Sequence, residues 1–252
     1  MKFKIFSEKP KILEQCHIFI GGWHGLGEIG YITVSHMIQE LKMERIATIM
    51  SSGAPPFISV QDNQLRLPFE IYGNENHNFA VFIPHLQPYR HVQIEFSEKL
   101  CEWILEHKNF EIAYFLGGVD KLLKSSDNQL QFIPSRAIFN YPEFPENFLE
   151  EIKESLLDPG LFVAGPLAIM LGYFDVFSFP TLGILAYAER ERPDPLGAVA
   201  AIKKLSSLLK IDISTDELIK NAQVIEEAIK RQLAPMEESN KETSPTSRRI
   251  YT

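Results

Sequence analysis

Apolar and polar positions divide this chain into short strands and amphipathic helices. Lys2-Phe3-Lys4-Ile5-Phe6 alternates, the period of a strand with one face buried. His17-Ile18-Phe19-Ile20-Gly21 is an unbroken apolar run, as in strands covered on both faces. From Glu28 to about Lys42, the residues Tyr31, Val34, Ile38 and Leu41 fall 3, 4 and 3 apart, one face of a helix. Arg45 to Met50 reads as strand again, and strand–helix–strand units of this kind build parallel sheets with right-handed crossovers. Phe57–Gln61 and Gln64–Pro68 flank the turn dipeptide Asp62-Asn63, which predicts a hairpin or ribbon. Phe79–Ile83 is a buried strand, and Val92–Lys108 is an amphipathic helix carrying Ile94, Leu100, Trp103, Ile104 and Leu105. Glu111–Leu116 is a strand that runs into Gly117-Gly118, followed by an irregular ribbon over about Lys124–Asn140 and a short helix over about Glu146–Leu156. A short helix starts at Pro166, a good first-turn residue, and Pro180–Tyr187 is the last central strand. Pro193-Asp194-Pro195 then introduces a helix from Leu196 to Leu209. The alternation predicts one α/β domain over residues 1–213, a doubly wound, largely parallel sheet with hairpin insertions.

Two segments follow the domain. Ser214-Thr215-Asp216-Glu217 has the form of a capping box, with Ser214 accepting from a first-turn amide while Glu217 reaches back, and opens an amphipathic helix over 214–233. Leu218, Ala222, Ile225 and Ile229 make a two-heptad seam along it. That seam either packs on its own domain or on the same helix of a second subunit, and it is too short to associate alone. Residues 234–252 carry Pro235, Pro245, three serines and several charges without apolar periodicity, which predicts a flexible tail. From Pro235 onward such a chain has a root-mean-square reach of roughly 23 Å and about 60 Å fully extended.

Net charge and cysteine usage exclude several classes. A formal net charge of -8, with no Lys/Arg-rich run, argues against a nucleic-acid surface. Cys16 and Cys101 both sit in apolar stretches and read as core thiols rather than nucleophiles. Met1-Lys2-Phe3-Lys4 lacks the apolar run of a signal peptide, and the hydrophobic region Leu161–Ala188 is divided by Pro166, Asp175 and Pro180. The expectation is a cytoplasmic protein without a membrane span.

Gly25-x-Gly27-x-x-Gly30, after a strand and into a helix, satisfies the dinucleotide-binding spacing. The acidic residue that should end the second strand and hold the ribose is absent, since Met50-Ser51-Ser52-Gly53 stands there. Two readings of Gly25, Gly27 and Gly30 stay open, a ligand-binding turn or a tight packing turn, and packing is favoured. His24 with Glu28 is the best acid–base candidate, and Glu189 ends a strand where open α/β sheets bind ligands. Both residues have ordinary capping roles as alternatives. The seven histidines form no helical His-Glu-x-x-His pair, and there is no Gly-x-Ser-x-Gly. The expectation is a protein that is not an enzyme and needs no metal or cofactor; a nucleotide- or nucleoside-binding enzyme using residues 21–30 is the runner-up.

Ile250-Tyr251-Thr252 closes the sequence with an aliphatic residue, a tyrosine and one further residue. It resembles the hydrophobic-tyrosine-any motif with which proteasome activators and assembly chaperones dock between α-subunits of the proteasome core particle. Such a segment offers an apolar side chain, a phenol and a carboxylate to a receptor pocket. The domain carries a second resemblance, in Gly25-Leu26-Gly27-Glu28-Ile29-Gly30, Pro55-Pro56, Gly165 and Gly172 ahead of Pro180, Ala188-Glu189, Asp194-Pro195 and Ile211-Asp212-Ile213. This pattern, from about Phe19 to Ile213, is similar to the proteasome assembly chaperone family, from which it departs at Trp23-His24, where Phe-Pro is commoner. The resemblance implies a fold like that of nucleoside phosphorylases and a non-enzymatic role in proteasome assembly or activation. It further implies homo-oligomerisation, as in archaeal members, with proteasome α-subunits as partners.

Overall fold

The computed structural model describes residues 1–61, 63–124 and 128–224. β1 (Phe3–Ser7) and the short helix α1 (Pro10–Glu14) precede β2 (Ile18–Gly22), α2 (Ile29–Glu40) and β3 (Glu44–Ser51). β4 (Ser59–Gln61) and β5 (Gln64–Arg66) form a separate ribbon, as the turn dipeptide predicts. β6 (Phe69–Gly73), β7 (Phe79–Pro84), α3 (Gln93–Glu106) and β8 (Ile112–Asp120) follow. The chain continues through β9 (Leu130–Pro134), α4 (Glu146–Glu154), α5 (Pro166–Val176), β10 (Thr181–Ala188) and α6 (Pro195–Leu209). Residues 216–224 are helical again.

The main sheet has eight strands in the order β1-β3-β6-β7-β2-β8-β10-β9. β7–β2, β2–β8 and β8–β10 pair in parallel, with Ile20 opposite both Val81 and Tyr114, while the four outer pairs are antiparallel. Traced through these pairings, β2, β3, β7, β8 and β10 run one way and β1, β6 and β9 the other. The predicted largely parallel α/β sheet is therefore present. β3 is parallel to β2 but not its neighbour, because the hairpin β6–β7 lies between them.

Period-two alternation explains how the strands serve two cores. In β2, Ile20 enters one core and Phe19 the other; in β8, Tyr114 and Leu116 oppose Ala113 and Phe115. The first core is closed by α2, α4, α6 and the helix over 216–224, the second by α1, α3 and α5. Cys16 and Cys101 are fully buried, and burial pushes the Cys16 thiol up to about 12 and Cys101 further, which suits inert core positions.

Several elements differ from the pattern-based expectation, among them the unpredicted α1. β6 is fully buried although the sequence predicts no strand there, because Glu70 interrupts its apolar run. The irregular ribbon after Lys124 contains β9, which pairs with β10 at the sheet edge. In the predicted capping box, Ser214 Oγ accepts from the Asp216 amide at 3.4 Å, and no hydrogen bond returns from Glu217 among the described residues. Leu218 and Ala222 of the seam pack into their own domain, whereas Ile225 and Ile229 lie outside the described residues. No helix among the described residues is long and apolar enough to cross a membrane.

Candidate functional site

The turn from β2 into α2 is shaped by close backbone contacts. A Cβ on Gly22 would meet the Gly30 carbonyl oxygen at 2.1 Å, and one on Gly30 would meet the Leu116 oxygen at 2.5 Å. Gly27 adopts φ +60°, where glycine is favoured, and faces the Ala188 methyl at 2.6 Å from its virtual Cβ. Gly25 has nothing within 4 Å and an extended backbone at φ -161°. The second and third glycines of the spacing are thus explained by packing against β8 and β10. Asp194 holds this arrangement: its amide donates to the Gly27 carbonyl at 2.9 Å, and its carboxylate accepts from Glu189 N at 3.0 Å and Gly197 N at 3.1 Å.

A cleft of about 450 Å³ opens at the carboxyl ends of β2, β8 and β10, beside this turn. Open α/β sheets bind ligands in this position. Its walls are mainly apolar, with Trp23, Leu26, Leu116 and Leu185 among them, and its polar features are His24 and the ion pair of Asp120 with Arg190 at 2.9 Å. Asp120 also accepts from the Leu122 amide at 2.9 Å. Sequence reasoning did not single out Asp120 or Arg190; the available signal was a carboxylate ending a buried strand just after Gly117-Gly118. Glu189 lies at the end of β10 and pairs with Lys121 and Arg192, and hydrogen bonding from Lys121 lowers its pKa.

His24 stacks on Tyr31 with ring centroids 4.1 Å apart. Burial pulls its pKa below the ordinary value of 6.5 even though the Glu28 carboxylate, 4.0 Å from Nδ1, opposes the shift. Its Nε2 and the Trp23 Nε1 are buried with no hydrogen-bond partner among the described residues. Tyr31 Oη in turn approaches His85 Nδ1 at 3.5 Å, and His85 Nε2 donates to Glu70 at 2.9 Å. Glu70 is fully buried and also accepts from Arg45 at 2.8 Å, Tyr72 at 2.8 Å and the Leu67 amide at 3.0 Å. Burial favours its neutral form, but these donors outweigh it and hold Glu70 below the ordinary carboxylate value. The cluster is a closed polar network. The structure thus joins His24 to Tyr31 and the turn, and Glu28 caps α2 with a left-handed backbone at φ 53°.

Ile250, Tyr251 and Thr252 lie outside the described residues.

Residues 19–233 match the PAC2 family model. The chain belongs to the PAC2 family. Solved structures of the same fold include Pyrococcus furiosus PbaA, described as an archaeal homolog of proteasome-assembly chaperone. PbaA has a TM-score of 0.76 and 22% identity, over 94% of this chain and 95% of that one. Pyrococcus furiosus PbaB, described as an archaeal proteasome activator, has a TM-score of 0.70 and 19% identity, over 91% of this chain and 98% of that one. An uncharacterized protein of Methanocaldococcus jannaschii is 24% identical over 94% of this chain and 95% of its own length. The family resemblance read from the glycine, proline and core positions is therefore correct.

Proposed function

We propose that this PAC2 protein is a proteasome assembly chaperone or ATP-independent activator that docks Ile250-Tyr251-Thr252 into pockets between α-subunits of the core particle. The observation that carries this reading is a PAC2 domain followed, in the same sequence, by an aliphatic-tyrosine-any triplet. The descriptions of PbaA and PbaB support the same role. Ile250 contributes roughly 1.5–3 kcal/mol of gross apolar burial, and Tyr251 fills a groove and hydrogen-bonds. In a chain that ends at Thr252, its carboxylate pairs with a pocket lysine. One such tail binds weakly, and several tails on a homo-oligomer gain by effective concentration against a ring of equivalent pockets. The exposed ribbon residues Ile58, Val60 and Leu65 supply apolar surface suited to an intersubunit contact.

The test pairs co-sedimentation with the cognate core particle and hydrolysis of a fluorogenic peptide. It compares the full chain, a variant lacking Ile250–Thr252, and a variant with one residue added after Thr252. Binding and faster hydrolysis only with the full chain support an activator; tail-dependent binding at an unchanged rate supports an assembly role. Equal binding by the full chain and both variants, or by none of the three, overturns tail docking.

The runner-up is nucleotide binding at residues 21–30. The cleft at the strand carboxyl ends favours it, but Gly27 and Gly30 are taken up by close packing and Glu28 places a negative charge at the start of α2. An unfolding midpoint unchanged by added nucleotide argues against it.

A further inference from the structure

His36 and Glu40 lie one turn apart on α2, and Glu217 lies in the first turn of the helix over 216–224. One ring nitrogen of His36 and one carboxylate oxygen from each glutamate all lie within 4.8 Å of one another. His36 is only 4% exposed, and its Nε2 is 2.6 Å from the Ser214 carbonyl oxygen. A carbonyl can only accept, so Nε2 carries a proton, and in the neutral imidazole, the form that binds a metal, Nδ1 carries the lone pair. Metal-bound histidines are commonly oriented in this way, one nitrogen donating to a backbone carbonyl while the other is left as the ligand. Nδ1 has no hydrogen-bond partner among the described residues, and neither glutamate has a Lys or Arg counter-ion there. Glu217 is also free of the capping bond that its sequence position suggests.

We propose that His36, Glu40 and Glu217 bind a divalent transition-metal ion, of which Zn²⁺ is the best fit, and so clasp the C-terminal helix to α2. One imidazole and two carboxylates supply three ligands of a kind that zinc accepts, with water completing a tetrahedron. A dication compensates the two carboxylates that the fold otherwise holds together uncompensated. The site joins segments far apart in sequence, so the ion stabilises the folded arrangement and not the open chain. It also fixes where the chain leading to Ile250-Tyr251-Thr252 leaves the domain, a consequence that rests on the docking reading, whereas the metal site itself does not.

The experiment uses the full chain, stripped with a chelator and returned to metal-free buffer. Zn²⁺ binding is measured by calorimetry, and Co²⁺ is added as a spectroscopic substitute whose visible absorption reports imidazole and carboxylate ligation. Glu40→Gln and Glu217→Gln are near-isosteric and partly or fully exposed, so the fold tolerates them. The expected result is one Zn²⁺ per chain, a higher unfolding midpoint with Zn²⁺, and slower tryptic cleavage at the exposed Lys220. Each Gln variant should weaken binding about tenfold or more. Absence of Zn²⁺ binding, or equal affinity in wild type and both variants, overturns the proposal. So does a rise in midpoint for the Gln variants with no response of the wild type to Zn²⁺, which identifies a mere like-charge contact. None of these readouts involves the proteasome, so failure of the site and failure of tail docking are separable.

Discussion

At the scale of single residues, identical amino acids in one motif answer to different constraints. Gly30 sits against three backbone atoms of β8 and the turn, and those cannot move aside as a flexible side chain could. Gly30→Ala is expected to lower stability by on the order of 3 kcal/mol, whereas Gly25→Ala, in open space, should stay within about 0.5 kcal/mol. Urea unfolding of the two variants checks the contrast, and equal costs would remove the packing account of the turn. Glu70 gives a pH signature. Its folded pKa is held below 4.5, so the stability it contributes is present above that value and is lost as pH falls through the lowered one. Arg45, Arg66, His85 and Tyr72 face it. Glu70→Gln should cost roughly 3 kcal/mol at neutral pH and flatten the acid limb of a plot of urea midpoint against pH. The glycine spacing was legible in the sequence, but the division of labour within it was not, because the contacting atoms come from β8 and β10.

Elements show the same division. α6 was legible because Asp194-Pro195 signals a helix start, and the structure adds that the Asp194 carboxylate accepts from Gly197 and Glu189 amides together. Asp194→Ala is expected to lose more than a simple cap, about 2 kcal/mol, with the loss read as a lower thermal midpoint. β6 was illegible because a buried carboxylate reads as solvent-exposed until Arg45, Tyr72 and His85 are placed around it. The helix over 216–224 had two open partners by sequence, and Leu218 resolves its first turns toward the parent domain. Leu218→Ala should therefore cost about 2–4 kcal/mol at any protein concentration. A cost that appears only where subunits associate would restore the intersubunit reading.

Across the whole molecule, apolar surface left over after both cores are filled marks where further association is expected. Val60 is 70% exposed and Leu65 53% exposed on the β4–β5 ribbon, away from either core. Val60→Asp with Leu65→Lys should reduce the sedimenting mass without altering the unfolding midpoint of the dissociated subunit. An unchanged mass would place any oligomer contact elsewhere.

The sequence by itself determined the α/β class and most strand and helix positions. Each of these follows from local periodicity, turn chemistry and punctuation by glycine and proline, which a neighbouring chain segment does not alter. Only the tertiary structure decided the strand order, the insertion of β6 and β7 between β2 and β3, the filling of the space beside Gly27 by Ala188, and the meeting of Glu217 with His36 and Glu40. These are contacts between distant segments, and their geometry is set by packing two faces of one sheet at once.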